Sequence, residues 1–141
     1  MAKPMYPCIW LKDQARAAAD FYCDIFPHSR IISDSGLVVM FELDGSTFMA
    51  LNTNDNPTFT ETVSFVIPCE DQQEIDHYWY SLTADGGVES QCGWCRDKFG
   101  LSWQVVPANL GQLMSDPKKG QKVVQAFMKM KKFDIATLEN V

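Results

Sequence analysis

The residues best able to do chemistry stand in QCGWCRDKFGLSWQVVP, Gln91 to Pro107, where Cys92 and Cys95 frame a Cys-x-x-Cys. Such a dithiol exchanges disulfides when it opens a helix, whose N–H groups and dipole lower a thiol pKa, and it supplies half a zinc site when a second pair follows. Here the flanking residues favour strand and turn, and no second pair follows at zinc-like spacing. Residues three apart on an extended chain stand roughly 10 Å from one another and point to opposite faces, whereas a disulfide needs Cα atoms within about 7 Å. Cys92 and Cys95 are therefore predicted to be hairpin residues, with a redox or zinc role as the alternative, reachable if Gly93 makes a bulge.

A second set is suited to binding. Trp10, Phe48, Trp94 and Trp103 fall on predicted strands, and Asn52, Gln91 and Gln104 place amides near them, with Cys92 alongside. Aromatic walls with a few orienting polar groups are the usual lining of a small-molecule site. The plainer reading is that these rings fill the core between helix and sheet. His28 and His77 are read as surface or core-edge residues rather than metal ligands.

Composition narrows the field. At 141 residues the chain forms one domain and can bury about two thirds of its unfolded surface, so it needs no cross-links. Its five cysteines are an odd number, the N-terminal segment holds only a four-residue apolar run, and nothing approaches a membrane span. The expectation is a cytoplasmic protein with reduced thiols. The net charge of −6 disfavours nucleic acid and anionic membrane, although Lys118, Lys119, Lys122, Lys129, Lys131 and Lys132 make up half of the 12 basic residues. That run reads as a solvated helix face, with a docking surface as the alternative.

The elements that must position these residues are visible in the hydrophobic spacing. Tyr6 to Leu11 is a strand, Asp13 is expected to cap a helix over Gln14 to Phe26, and Pro27 stops it. Ser29 to Ser33, Leu37 to Leu43 and Thr47 to Leu51 are strands, the last two joined by an Asp44-Gly45 turn. The order returns with a strand at Thr62 to Pro68, an Asp71-capped helix carrying Ile75, Tyr78, Trp79 and Leu82, and strands at Val88 to Trp94, Cys95 to Lys98 and Leu101 to Val106. A shift of 58 residues lays Asp13-Gln14 on Asp71-Gln72, and a shift of 55 lays Gly45 on Gly100 and Phe48 on Trp103. The fold class is therefore α+β: two βαβββ modules, about 5–54 and about 60–107. A helical tail covers about 108–141, with helical pieces at Leu110 to Met114, after Pro117 and at Ile135 to Leu138.

A repeated βαβββ unit carrying Pro7-Cys8-Ile9-Trp10-Leu11, Phe21-Tyr22 with Phe26-Pro27, Phe41-Glu42-Leu43-Asp44-Gly45, Phe48-Met49-Ala50-Leu51-Asn52, Val63-Ser64-Phe65-Val66, Gln91-Cys92-Gly93-Trp94 with Asp97 to Gln104, and Met128-Lys129-Met130-Lys131-Lys132 resembles the vicinal oxygen chelate superfamily. Within it the chain is similar to the PhnB-like, or demethylubiquinone methyltransferase-like, group. The resemblance implies a glyoxalase-like fold with pairing of modules within or between chains, hence an expected homodimer. In metal-using relatives it implies ligands on the first and last strands of each module, positions that fall here on Tyr6, Met49, Ser64 and Gln104.

These four residue types offer no strong donor at neutral pH, so no metal is expected. The eight glycines are scattered, with only Gly86-Gly87 adjacent, so no glycine-rich nucleotide loop and no cofactor is predicted either. The expected function is binding of a small molecule by Trp10, Phe48, Asn52, Gln91, Cys92, Trp94, Trp103 and Gln104. The alternatives are a metal-dependent lyase, isomerase or dioxygenase of the same superfamily, an enzyme using Cys92 or Glu42 as acid, base or nucleophile, and an interaction module using the basic tail.

Overall fold

The computed structural model describes residues 3–141, which divide into two compact units, one ending at Thr58 and the other running from Phe59 to Val141.

In the first unit the order is β1 (Cys8–Lys12), α1 (Ala15–Ile25), β2 (Arg30–Asp34), β3 (Val38–Leu43) and β4 (Ser46–Thr53), forming a sheet β1-β4-β3-β2. β1 runs parallel to β4 and the other neighbours are antiparallel. The strands alternate, as a half-covered sheet must. Ile9, Leu11, Val39, Phe41, Phe48 and Ala50 are buried beneath α1, while Cys8 and Trp10 turn to the opposite, open face. Three fully buried alanines, Ala15, Ala18 and Ala19, let the helix approach closely, and Tyr22 stacks on Phe41 with centroids 6.3 Å apart. The Asp44-Gly45 turn takes φ values of 47° and 89°, the left-handed pair that a two-residue hairpin requires.

The first helix corrects one expectation. Asp13 has φ 57° and does not cap α1; Gln14 occupies the cap position without a side-chain bond. The orphan Ala15 N–H is instead bonded at 2.9 Å by Asn52 Oδ1, and Asn52 Nδ2 donates to the Gly36 carbonyl at 2.9 Å. A strand residue thus does the work of a cap from 37 positions away.

The second unit repeats the plan with β5 (Ser64–Cys69), α2 (Gln72–Thr83), β6 (Val88–Glu89), β7 (Trp94–Arg96) and β8 (Ser102–Pro107) in the sheet β5-β8-β7-β6. β5 lies at the edge, where Pro68 removes no interior ladder bond. Asp71 caps α2, accepting from the Glu74 N–H at 2.9 Å, and α2 buries Ile75, Tyr78, Trp79 and Leu82. The identical strand order in both units is the structural form of the 58- and 55-residue repeat.

The expected strand from Val88 to Trp94 is much shorter. The chain leaves the sheet after Glu89 and turns at Gln91–Trp94, where Cys92 and Gly93 have φ 56° and 82° and the Trp94 N–H bonds Gln91 O at 3.0 Å. Two successive positive φ values make a tight I′-type turn. Helices α3 (Leu110–Met114), α4 (Gly120–Phe127) and α5 (Ile135–Glu139) follow β8, so Pro117 stands in the turn before α4 rather than inside it. The tail folds back on the second unit. Met130 and Lys131 accept from the Cys92 and Gly93 N–H groups at 2.8 Å, Phe133 is buried, and Gln72 bonds both Phe133 O and the Ile135 N–H. Among the described residues no helix is long and apolar enough to cross a membrane.

Candidate functional site

Each sheet has one face under its helix and one open face, and the alternation along the strands decides which chemistry is accessible. In the first unit the open face carries the row Trp10, Leu51 and Val38 beside the row Cys8, Met49 and Met40, matched by strand register. In the second it carries Trp94, Gln104 and Val66 in one row and Val88, Arg96, Ser102 and Ser64 in the next.

The candidate residues are therefore divided. Trp10 is exposed on the open face of the first unit, and Trp94 and Gln104 adjoin one another on that of the second. Phe48 and Trp103 lie on the helix sides: Phe48 stacks on Phe41 at 5.5 Å, and Trp103 is 2% exposed. Asn52 is committed to holding α1 and the Gly36 turn. Gln91 is exposed in the turn before β7. Cys92 sits in the same turn, its Sγ 4.0 Å from Met128 Sδ.

Trp103 is held by a buried carboxylate. Asp97 accepts from the Phe99 and Leu101 N–H groups at 2.9 and 3.1 Å through Oδ1, and from Trp103 Nε1 at 2.9 Å through Oδ2. This bond set closes the β7–β8 hairpin and so fixes the strands that present Trp94, Arg96 and Gln104.

The thiols of the Cys-Gly-Trp-Cys stretch have different surroundings. Cys95 is buried under α2, and desolvation, reinforced by Asp97 and Glu89, pushes its thiol up to about 12. Cys69 is likewise raised to about 12, by desolvation first. Neither is a thiolate near neutral pH. Glu42 is paired with Arg30 at 3.2 Å, and Lys132 with Asp76 at 2.6 Å and Tyr80 Oη at 3.1 Å, so part of the basic tail is spent within its own unit.

The strand positions that carry ligands in metal-using relatives can now be tested against the register. Met49 and Gln104 both face the open side, but their cross-strand neighbours are Cys8 and Val66, each two residues along from Tyr6 and Ser64. Gln104 Nε2 donates to Ser64 Oγ at 3.0 Å, pairing those two side chains with each other. A phenol, thioether, hydroxyl and carboxamide are poor donors for a divalent transition ion. Cys8 is a stronger donor beside Met49, but although its side chain reaches solvent, partial burial pushes its thiol pKa up; Glu42, on the same face of β3, is paired with Arg30. The residues present do not fit a transition-metal centre. Among the described residues no group of three His, Cys, Asp or Glu side chains converges elsewhere.

Sequence reasoning overlooked a polar pocket of about 160 Å³ on the open side of the second unit, lined by Glu61, Ser90, Trp94, Arg96 and Ser102 among others. Of these, Ser102 is 1% exposed, and its Oγ has no hydrogen-bond partner. The alternation of Trp94 with Arg96 and of Ser102 with Gln104 was the available signal, since each pair must share a face.

Comparison with known proteins agrees with this architecture. The 3-demethylubiquinone-9 3-methyltransferase family profile matches residues 3–106, ending before the helical tail. A PhnB protein from Bacillus cereus is similar in structure, with a TM-score of 0.67 and 26% identity, over 74% of this chain and 99% of that one. A glyoxalase/bleomycin resistance protein from Albidiferax ferrireducens gives 0.56 at 11% identity, covering 71% and 93% of the two chains. The fosfomycin resistance protein FosX from Listeria monocytogenes gives 0.53 at 16%, covering 77% and 91%. The last two are likenesses of fold alone, and curated protein sequences gave no match. With the family profile spanning both βαβββ modules, the chain belongs to the 3-demethylubiquinone-9 3-methyltransferase family, the PhnB-like group of the vicinal oxygen chelate superfamily.

Proposed function

We propose that this PhnB-like chain binds a small organic molecule on the open faces of its sheets, and does so without a transition metal at the strand positions described. The observation that carries the reading is the open face of the second unit. A tryptophan, an amide already oriented by Ser64, an arginine and an unpartnered buried hydroxyl stand on adjacent strands there. Apolar surface with a few fixed polar groups is what a small-molecule site requires. The donor chemistry at Met49, Gln104 and their neighbours argues against a metal-dependent lyase, isomerase or dioxygenase.

The test is a calorimetric titration of ligands found by a stability screen, in the wild type and in Trp94→Ala and Gln104→Ala. Losing an aromatic wall or an orienting amide should weaken binding by about tenfold each, near 1.4 kcal/mol. Unchanged affinity in both variants would remove the site from the open face. We further propose a cytoplasmic homodimer, because each four-strand sheet leaves edges to cover; light scattering that gives a monomer at high micromolar concentration would refute the dimer.

A further inference from the structure

We propose that the pocket between β6, β7 and the chain entering β5 takes a small zwitterion, a molecule with an ammonium group at one end and a carboxylate or similar anion at the other. The inference rests on the small-molecule reading above and gives that ligand a chemical class.

Three observations carry it. Ser102 lies on β8 between Arg96 of β7 and Ser64 of β5 in the strand register. Its residue is 1% exposed, yet its Oγ bonds nothing. A buried hydroxyl left unmatched costs about 1–3 kcal/mol, so one is expected where a bound molecule completes it. Gln104 satisfies the neighbouring Ser64, whereas Ser102, which lines the pocket, has no partner.

The second observation is charge. Glu61 and Arg96 both line the pocket and are both exposed, and neither makes an ion pair with the other or with another described residue. One negative and one positive side chain thus line the same pocket as the neutral Ser102. Glu89 also borders the pocket, but its carboxylate accepts from Trp79 Nε1 at 2.6 Å on the helix side and is not counted toward a ligand. An ammonium opposite Glu61 and an anion opposite Arg96 would each find a counter-charge, and the fork of an arginine suits a carboxylate bidentately.

The third is size. The pocket's volume of about 160 Å³ has room for several water-sized groups. That suits a molecule of the size of a short amino acid. Trp94 supplies the apolar wall for its methylenes.

The experiment uses the whole chain and β-alanine as probe, with propylamine and propionate as controls that keep one charge each. Calorimetry should show β-alanine binding and both controls at least about tenfold weaker, each missing one charge pair. Arg96→Gln and Glu61→Gln, both surface changes, should each weaken β-alanine by about tenfold. Ser102→Ala is the most diagnostic variant: it should hold or raise the melting temperature of the free protein by removing an unmatched hydroxyl, while weakening β-alanine several-fold. Propylamine binding as tightly as β-alanine would overturn the zwitterion, as would no β-alanine binding at about 10 mM. A Ser102→Ala protein that melts lower and binds normally would make the hydroxyl structural and likewise overturn it. If other ligands bind and lose affinity in Trp94→Ala while β-alanine does nothing, the zwitterion assignment alone fails. If nothing in a broad panel binds, the small-molecule reading fails with it.

Discussion

Asp97 offers the sharpest test of how the open face of the second unit is built. Its carboxylate is 2% exposed and accepts two backbone N–H groups and the Trp103 indole. Hydrogen bonds to a charged acceptor contribute about 1.5–3 kcal/mol each. Asp97→Ala leaves three donors without their acceptor, two of them on buried residues; partial recovery by water at Phe99 limits the loss to about 4 kcal/mol. Asp97→Asn keeps one carbonyl oxygen for the two backbone donors but sets an NH₂ against the indole N–H. It should cost about 2 kcal/mol, since one bond is lost and the others lose their charge assistance. Urea unfolding followed by tryptophan fluorescence measures both, the four tryptophans together reporting the global transition. An Asp97→Ala protein within about 1 kcal/mol of wild type would refute the reasoning, and equal losses in the two variants would refute the role given to the second oxygen.

Other outcomes follow from the same geometry. Gly93→Ala should cost about 2 kcal/mol or more, since φ is +82° and an added Cβ would stand 2.5 Å from the Phe133 ring and 2.7 Å from Val105 O; protease cleavage between Phe127 and Phe133 should accelerate in step, reporting release of the tail. In native protein at pH 8, a thiol reagent should modify Cys8 and Cys92 while sparing Cys69 and Cys95, and all five should react in denaturant. Because the folded values of Cys69 and Cys95 lie near 12 against 9.0 for an ordinary cysteine, the unfolded chain gives up those protons first. Stability from these burials is full below pH 9 and should decline as pH rises toward 12, visible as a falling melting temperature. Lys132→Met should cost about 1 kcal/mol, since its pair with Asp76 is only partly shielded from water. Asp76 is held below the usual carboxylate range, first by its Lys132 bond, so this small contribution is present above its unfolded pKa and vanishes as pH falls through the folded value; wild type and variant should melt together in strong acid.

The architecture was legible because both modules obey strong local rules. Asp71, Ile75, Tyr78, Trp79 and Leu82 announce a capped, one-sided helix, and Asp44-Gly45 permits little besides a hairpin. Where the reading missed, the cause was non-local. Nothing near Asp13 reveals that Asn52 will bond the Ala15 N–H, so the residue with the better intrinsic capping chemistry was preferred. Cys92 has a poor preference for positive φ, yet the backbone bonds from its turn to Met130 and Lys131 hold it there, and those partners lie almost forty residues away.

The binding site was only half legible for a related reason. Sequence identifies aromatics on strands but not which sheet face the helix will cover. Phe48 and Trp103, equivalent under the 55-residue shift, both turn inward, and their neighbours Met49 and Gln104 both turn outward. Once one strand's parity is known the others follow, and that parity brings Arg96 and Ser102 into view. A buried hydroxyl without a partner has no sequence signature at all, since Ser102 is ordinary until its surroundings are seen.

The measurement that bears most directly on the central claim is the melting temperature of tag-free protein across a panel of small metabolites, each run with chelator and with added nickel, zinc or iron. Metal-free binding predicts that some metabolite raises the melting temperature by several degrees, equally in chelator and in metal, and that the ions alone leave it unchanged. Stabilisation by one equivalent of metal, or ligand binding that appears only when metal is supplied, would contradict the account and favour a metal-dependent enzyme.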